Sequence, residues 1–482
     1  MPIALSSPEA RSEVRRAVAD LRHLLWFRAA TLRRPRAVRV ALAVLALVTV
    51  AAATLPARLI APGELDRLLR PGLVAVVLVG VGGAIAGGGG RELLARDPVS
   101  VHPISPVTDH LGALVLAPLS AGWLIQTWGL LGLVSAVGGP GALPVGVAWV
   151  VAATTLAQAI GWTAEYLRRR RVLAWLALPL IGLGLAPVPP VLAAVEHGDA
   201  VRRALVAVLL VAAAALLVVV GAVVAVATAR RMPRDEARRE TSHHAVRPLP
   251  SSDLAMLRRI DRASVWRSVP LRRGTAFLAL APGGVALAGG LDWSMLALMP
   301  GLVASGCVLL FGVNLWCLDG RGLLWRETLP TRPRTVLLAR AWVLVEVLVG
   351  GGLLTLALGA VRAGRPTVAE AAAVVLALVV VVAQALSAGL RWSAAHPHAT
   401  ELRSARATPA PPLPMVGYSI RLAVATTLTG LLFGGLGAAG RLDLMVPAAV
   451  VLATASAARV VRAGRRWSDP VRRAAVVAVV AG

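Results

Sequence analysis

Long blocks of Ala, Val, Leu and Gly alternate along the chain with short stretches crowded with Arg. The blocks are uniformly apolar, and about 20 such residues suffice to cross the roughly 30 Å hydrocarbon core as a helix. Inside that core every backbone polar group must bond internally, so blocks of this length read as helices and not as strands. The pattern predicts an all-α, polytopic integral membrane protein with about 12 transmembrane helices in two pseudo-symmetric six-helix halves. In the first half the spans fall at 37–55, 71–89, 111–136, 142–163, 172–195 and 204–229. In the second they fall at 274–291, 293–317, 337–360, 368–390, 420–439 and 442–461. The last apolar piece, Ala474 to Gly482, is too short to cross.

The polar segments set organisation and orientation. Residues 1–36 form an N-terminal segment, 37–229 the first half, 230–273 a linker, 274–461 the second half and 462–482 a C-terminal tail. The alternate loops predicted on the outer side hold only Arg58, Arg67, Arg70, Arg202, Arg203, Arg362, Arg365 and Arg441, which is 8 of the 50 basic residues. The positive-inside rule then places both termini, the linker and the other loops in the cytoplasm, with the protein multi-pass in the cytoplasmic (inner) membrane. Trp162, Trp175, Trp293 and Trp392, near span ends, fit interfacial anchors. The first apolar block begins behind a long basic segment, unlike a cleavable signal peptide. In the N-terminal segment, Ser7 and Pro8 can start a helix with Glu9 in its first turn. Val14, Val18, Leu21, Leu24 and Leu25 then recur at helical spacing between arginines, as in an amphipathic helix on the membrane surface. A basic tail without structure is the alternative. The linker repeats the device: Ser252 or Asp253 can cap a helix with Leu254, Leu257 and Ile260 on one face.

Composition agrees and removes some chemistry. The chain has 482 residues, of which 57% are hydrophobic and 15% charged, against roughly 25% charged in soluble domains. All basic residues are Arg. A P-loop needs a Lys after its second glycine, and the run Gly87-Gly88-Gly89-Gly90 is followed by Arg91. No nucleotide-binding P-loop and no Schiff-base Lys follow, so no catalytic residue is expected and any ATP hydrolysis belongs to another chain. The net charge of +26 sits beside apolar blocks, which points to anionic lipid headgroups as partners and not to nucleic acid. Cys307 and Cys317 share one block and imply neither a disulfide framework nor zinc.

Three local matches relate the halves. Leu32-Arg33-Arg34, after Trp26, matches Leu271-Arg272-Arg273, after Trp266. Gly90-Arg91-Glu92-Leu93-Leu94 matches Gly320-Arg321-Gly322-Leu323-Leu324, and Pro103-x-x-Pro106-x-Thr108 matches Pro330-x-x-Pro333-x-Thr335. Their offsets of 239 (271−32), 230 (321−91) and 227 (330−103) drift in one direction, as shorter loops in the second half would require. Six spans between equivalents give both halves the same orientation, a parallel pseudo-two-fold along the membrane normal with a central path.

The repeated Pro-x-x-Pro-x-Thr, entering an apolar helix, predicts a rigid elbow. Pro106 and Pro333 end any preceding helix and preset the turn, and Thr108 or Thr335 can cap the next one. A plain helix start is the simpler alternative. At these residues the chain resembles the membrane subunits of ABC-type exporters of the type-2 permease class, in a fused, duplicated form. Their six-span units begin with an interfacial amphipathic helix, and the loop after the second span contacts a separate ATPase. The resemblance implies coupling to such a partner, expected in two copies with ATP-Mg bound there, through Arg91, Glu92, Pro103, Pro106, Thr108, Arg321, Glu327, Pro330, Pro333 and Thr335. It covers most of the chain as topology and about 25 residues per half as motif. The first-half loop carries an extra Asp97-Pro98-Val99-Ser100-Val101-His102 segment, and Arg340 is the nearest substitute for the family's Lys entering the third span.

Other candidates are single residues. Glu346 lies inside the ninth span, where an ionisable group suggests function or a packing hydrogen bond. Asn314, in the eighth, either bonds across helices or lines a substrate path. Gln126, Gln158 and Gln384 allow the same two readings. His243-His244 and His396-Pro397-His398 lack converging ligands, so no metal site is expected. The leading function is thus an ATP-driven exporter working by alternating access. A secondary transporter, which would need more buried ionisable groups, and a membrane-embedded lipid-processing transferase, which would need acids on larger outer loops, are the alternatives.

Overall fold

In the computed structural model the chain divides into two compact units, Met1–Arg234 and Asp235–Gly482. The structure describes residues 15–23, 25–26, 35–59, 72–73, 75–76, 78–82, 84, 105–119, 121–169, 188–230, 248–399 and 409–482. Among the described residues every regular element is helical. Among the described residues six helices are long and apolar enough to cross a membrane: Pro140–Leu167, Ala200–Ala229, Pro333–Ala360, Val368–Ala395, Gly417–Ala438 and Leu442–Ser468. Leu42–Arg58 and Trp293–Cys307 are shorter apolar helical segments.

The first unit contains α1 (Pro35–Thr54), α2 (Pro106–Val115), α3 (Ala121–Gly138), α4 (Leu143–Arg169), α5 (Val188–His197) and α6 (Ala200–Ala229). The predicted third span is therefore broken. Pro118 lies in a 3-10 turn, Ala117–Leu119, between α2 and α3, because it supplies no N–H for a continuing helix. Asp199 starts α6 by accepting from the Arg202 N–H at 2.8 Å. Only 17% of the most apolar window of α6 is buried, with Leu205, Val208 and Leu216 facing outward. A helix apolar on its outer face fits lipid, where a water-facing helix would be polar there. Trp128 on α3 donates to Thr49 on α1 at 3.0 Å, and Trp123 on α3 donates to Thr154 on α4 at 2.8 Å.

The second unit contains α7 (Asp253–Arg267), α8 (Val269–Gly289), α9 (Met299–Cys307), α10 (Gly322–Glu327), α11 (Pro333–Ala360), α12 (Val368–Ala395), α13 (Pro412–Ala438), α14 (Leu442–Ser468) and α15 (Pro470–Ala481). The caps are written in the sequence. Ser252 accepts from the Ala255 N–H to start α7, Thr367 and Glu370 form a capping box on α12, and Asp469 starts α15. Gly290, in the left-handed region at φ 60°, ends α8. Small residues bring α8 and α11 together: Gly283 lies against Thr355, whose hydroxyl donates to the Ala279 carbonyl at 3.0 Å in the turn that Pro282 loosens.

The eighth predicted span is also not one helix. It runs as Trp293–Leu296, then α9, a π-helical turn at Val308–Gly312 and a 3-10 turn at Leu315–Leu318. A second π-helical turn, Leu78–Gly82, falls in the predicted second span. Such turns make up well under 1% of residues. The two lie 230 residues apart (308−78), the offset that relates Arg91 to Arg321.

Candidate functional site

The elbow of the second unit is built around a buried cluster of four charges. Asp261 comes from α7, Asp319 from the turn after the 3-10 segment, Arg326 from α10 and Arg340 from α11. Arg326 Nη2 lies 2.7 Å from Asp261 Oδ1 and 3.1 Å from Asp319 Oδ1. Arg340 Nη2 lies 2.6 Å from Asp319 Oδ2 and 3.1 Å from Asp261 Oδ1. Arg340 Nη1 also donates to the Leu315 carbonyl at 2.8 Å. Arg340 and Asp261 are fully buried, while Arg326 is 4% and Asp319 8% exposed in their side chains. Two positive and two negative groups leave the cluster neutral, the condition under which buried charges are tolerated. Burial pushes the Asp319 carboxyl above its ordinary value, and the Arg340 and Arg326 guanidiniums oppose that shift.

Around the cluster the chain is clamped from three sides. Gly320 adopts φ 50°, the left-handed turn that lets the chain double back into α10. Trp316 stacks on Trp467, at the end of α14, with ring centroids 3.9 Å apart. The Trp467 indole donates to the Pro333 carbonyl at 3.1 Å, tying the elbow to α14. Arg473 on α15 donates to Glu327 on α10 at 2.8 Å. The segment read as a C-terminal tail is thus two helical pieces packed on the elbow, with Val476, Val477 and Val480 of α15 buried.

The inner face of α10 is spent on this packing, with Leu323 and Arg326 buried. Its outer face shows Leu324 at 57% and Trp325 at 66% exposure. Six residues thus carry a polar lock on one side and two large apolar side chains on the other.

Several expected residues sit elsewhere than predicted. Thr335 does not cap: Arg332 is the N-cap residue of α11 and Pro333 takes the first position. Thr108 does not cap either. Ser105 accepts from the Thr108 N–H at 3.0 Å, and the Thr108 hydroxyl meets Ser105 and, at 3.5 Å, Asp20 Oδ2. A short hydroxyl one position before the proline wins because it alone has the extended backbone of a cap. Arg321 and Pro330 lie exposed at the two ends of the α10 segment. Arg91, Glu92 and Pro103 lie outside the described residues, as do Trp175 and His243-His244.

Leu254 and Ile260 are exposed, and the buried face of α7 is Leu257, Asp261 and Val265. Asp261 sits on that buried face because two guanidiniums hold it there. Trp162 is not an interfacial anchor: it is buried, and its indole donates to His110 Nδ1 at 3.1 Å. His110 therefore carries its proton on Nε2, which donates to the Val218 carbonyl at 3.1 Å. Gly221 makes room for that ring, since a methyl there would come within 2.4 Å of it.

Glu346 is neither lone nor enclosed. Arg262 on α7 grips it through two nitrogens at 2.9 and 2.6 Å, and Arg258 Nε lies 3.4 Å away. Donating to the Glu346 carboxylate raises the Arg262 guanidinium above its ordinary value. Asn314 is fully buried and gives its amide hydrogens to the His398 and Pro409 carbonyls at 2.8 and 2.9 Å. Both donors are occupied in holding the chain between α12 and α13. Gln384 exchanges hydrogen bonds with Thr429 on α13. Among the described residues no group of three or more His, Cys, Asp or Glu could hold a metal.

Sequence reasoning missed Asp261, Asp319, Arg326, Trp467 and Arg473. The sequence marks Arg340 only as the nearest substitute for the resembled family's Lys entering the third span, not as a member of a buried charge cluster. No protein-family model, curated protein or solved structure matches the chain.

Proposed function

We propose that the chain is the transmembrane subunit of an ATP-driven exporter of the ABC type, with twelve spans in two pseudo-equivalent halves and both termini in the cytoplasm. The observation that carries this reading is α10. It exposes Leu324 and Trp325, as a docking surface does, and anchors its opposite face through Arg326 to Asp261 of α7 and to Asp319, the two carboxylates that Arg340 of α11 also holds. A partner that seats on α10 and moves it must move the start of α11, because sliding the helix alone would strand buried charges at a cost of about 3–5 kcal/mol. Arg321, Glu327, Pro330 and Pro333 frame that lever. Glu327 ties it to Arg473, and the Pro333 carbonyl ties it to Trp467.

Two further features favour a duplicated architecture. The π-helical turns stand at the offset of the Arg91 and Arg321 motifs. In each unit an acid of the amphipathic lead-in helix also reaches the start of the following elbow helix: Asp20 meets Thr108, and Asp261 meets Arg340. The chain has no Lys for a P-loop, so ATP-Mg would sit on a partner, two copies serving the two halves. Export of a substrate follows from alternating access as the halves rock about a central path.

Affinity purification of the whole tagged chain in mild detergent tests the proposal. The wild type should retain a P-loop ATPase that L324E/W325E loses, with an unchanged melting temperature in both. An ATPase absent from both, or equally retained by both, refutes it.

A further inference from the structure

A cleft of about 400 Å³ opens between α7, α8 and α11, within the roughly 300–1,000 Å³ span of ligand sites. Its walls are apolar, with Ala276 and Leu280 from α8 and Val347, Gly350 and Leu354 from α11. From Glu346 to Leu354 the α11 wall descends about 12 Å. Gly350 forms an open floor: a methyl added there would meet nothing within 4 Å. Its neighbour Gly351 is different, since a methyl there would come 3.1 Å from Val303. Leu280 and Leu354 are half-exposed, so the cleft opens on the apolar outside of the unit.

The mouth is basic. Arg262 lines it and Arg258, one turn earlier on α7, stands beside Glu346, while Arg259, Arg267 and Arg272 lie on α7 and the first turn of α8 outside the lining. Against them stand Asp253 and Glu346, because Asp261 is already neutralised by Arg326 and Arg340. Glu346 is taken up by Arg262, whereas the Arg258 Nε lies 3.4 Å from it without a hydrogen bond and the Arg258 guanidinium lies 5.3 Å over the Trp342 ring. Among the described residues no hydrogen bond from Arg258 ends on a protein acceptor. Trp266 lines the mouth and Trp342 flanks it through Arg258, both about half exposed, as aromatic side chains are at a membrane interface.

We propose that this cleft holds one membrane phospholipid with an anionic headgroup, its phosphate on Arg258 and one acyl chain laid along Gly350. An apolar trough about 12 Å deep beneath a cationic rim matches a molecule that is anionic at one end and hydrocarbon at the other. A helix from a second copy would need an acid at that level and would be too wide for a trough whose floor is one glycine. The lipid requires only that the chain lie in a membrane, so the proposal stands apart from the exporter reading.

Native mass spectrometry of the whole chain, in detergent supplemented with phosphatidylglycerol or phosphatidylcholine, tests it. The wild type should keep one phosphatidylglycerol and prefer it to phosphatidylcholine. Arg258→Ala leaves the Arg262–Glu346 pair in place and should lower that preference roughly fivefold, the worth of one basic residue at an anionic surface. Gly350→Phe, whose Cβ would meet nothing within 4 Å, puts a ring in the trough and should abolish retention of either lipid in a protein that still folds. Equal retention of both lipids by the wild type overturns the proposal, as does a folded Gly350→Phe that keeps its lipid. Should Gly350→Phe not fold, the Arg258→Ala preference decides: no change from wild type overturns the proposal.

Discussion

The helix that begins at Pro106 and the helix that begins at Pro333 each carry the proline in the first turn, and each is met by an acid from the preceding amphipathic segment. Beyond that turn they part. In the first unit the contact is between a hydroxyl and a carboxylate, and the ionisable ring nearby, His110, is held neutral between an indole donor and a carbonyl acceptor. That helix then breaks at Pro118. In the second unit four full charges interlock, and α11 runs unbroken for 28 residues, about 42 Å. Neutral hydrogen bonds can be lost one at a time for about 1 kcal/mol each. A buried charge cluster fails as a unit, because removing one member leaves another uncompensated. With that four-charge cluster among its described residues, the second elbow is a stiff lever for the proposed coupling.

The comparison breaks most readily at Arg340. Arg340→Met should destabilise the protein by about 3–5 kcal/mol, since Asp261 and Asp319 would be left to share Arg326 alone, with one buried negative charge uncompensated, read as a fall in melting temperature in detergent. A loss no larger than that of a neutral substitution in the first elbow would remove the distinction. Trp467→Ala should cost a similar amount, about 3–5 kcal/mol, through the lost stack on Trp316 and the freed Pro333 carbonyl. Limited proteolysis near Pro333 should accelerate with it. In the first unit, Gly221→Ala pushes a methyl against His110 and should cost about 1–3 kcal/mol by the same melting assay. The smallest effect belongs to Arg473→Ala, whose partly exposed pair with Glu327 is worth about 1 kcal/mol or less and should weaken further in high salt.

Much of the fold was legible because hydropathy is a strong signal over 20 or more residues. The helices at Ala200–Ala229, Pro333–Ala360, Val368–Ala395 and Leu442–Ser468 each contain the predicted span and extend past it, since capping residues and not hydropathy set their ends. The broken third and eighth spans were not legible as broken. Pro118, Pro300 and Gly306 stand in runs as apolar as any intact helix, and Pro282 and Pro447 sit inside intact ones. The site was legible only in part. The Pro-x-x-Pro-x-Thr repeat marked the elbow, yet its lock is made by residues 58 (319−261) and 79 (340−261) positions from Asp261, which no local pattern connects. The shared face of Leu254, Leu257 and Ile260 did not show that Asp261 would turn inward, because apolar spacing says nothing of where a carboxylate will find two guanidiniums.

The central claim, that α10 is the seat of an ATPase partner, is tested most directly by placing a photo-crosslinking amino acid at Trp325 and, as a control, at Val361, the exposed residue at the other end of α11. Irradiation of intact cells should join position 325, and not position 361, to a P-loop ATPase identified by its peptides. Capture of that ATPase at neither position, or equally at both, would contradict the account.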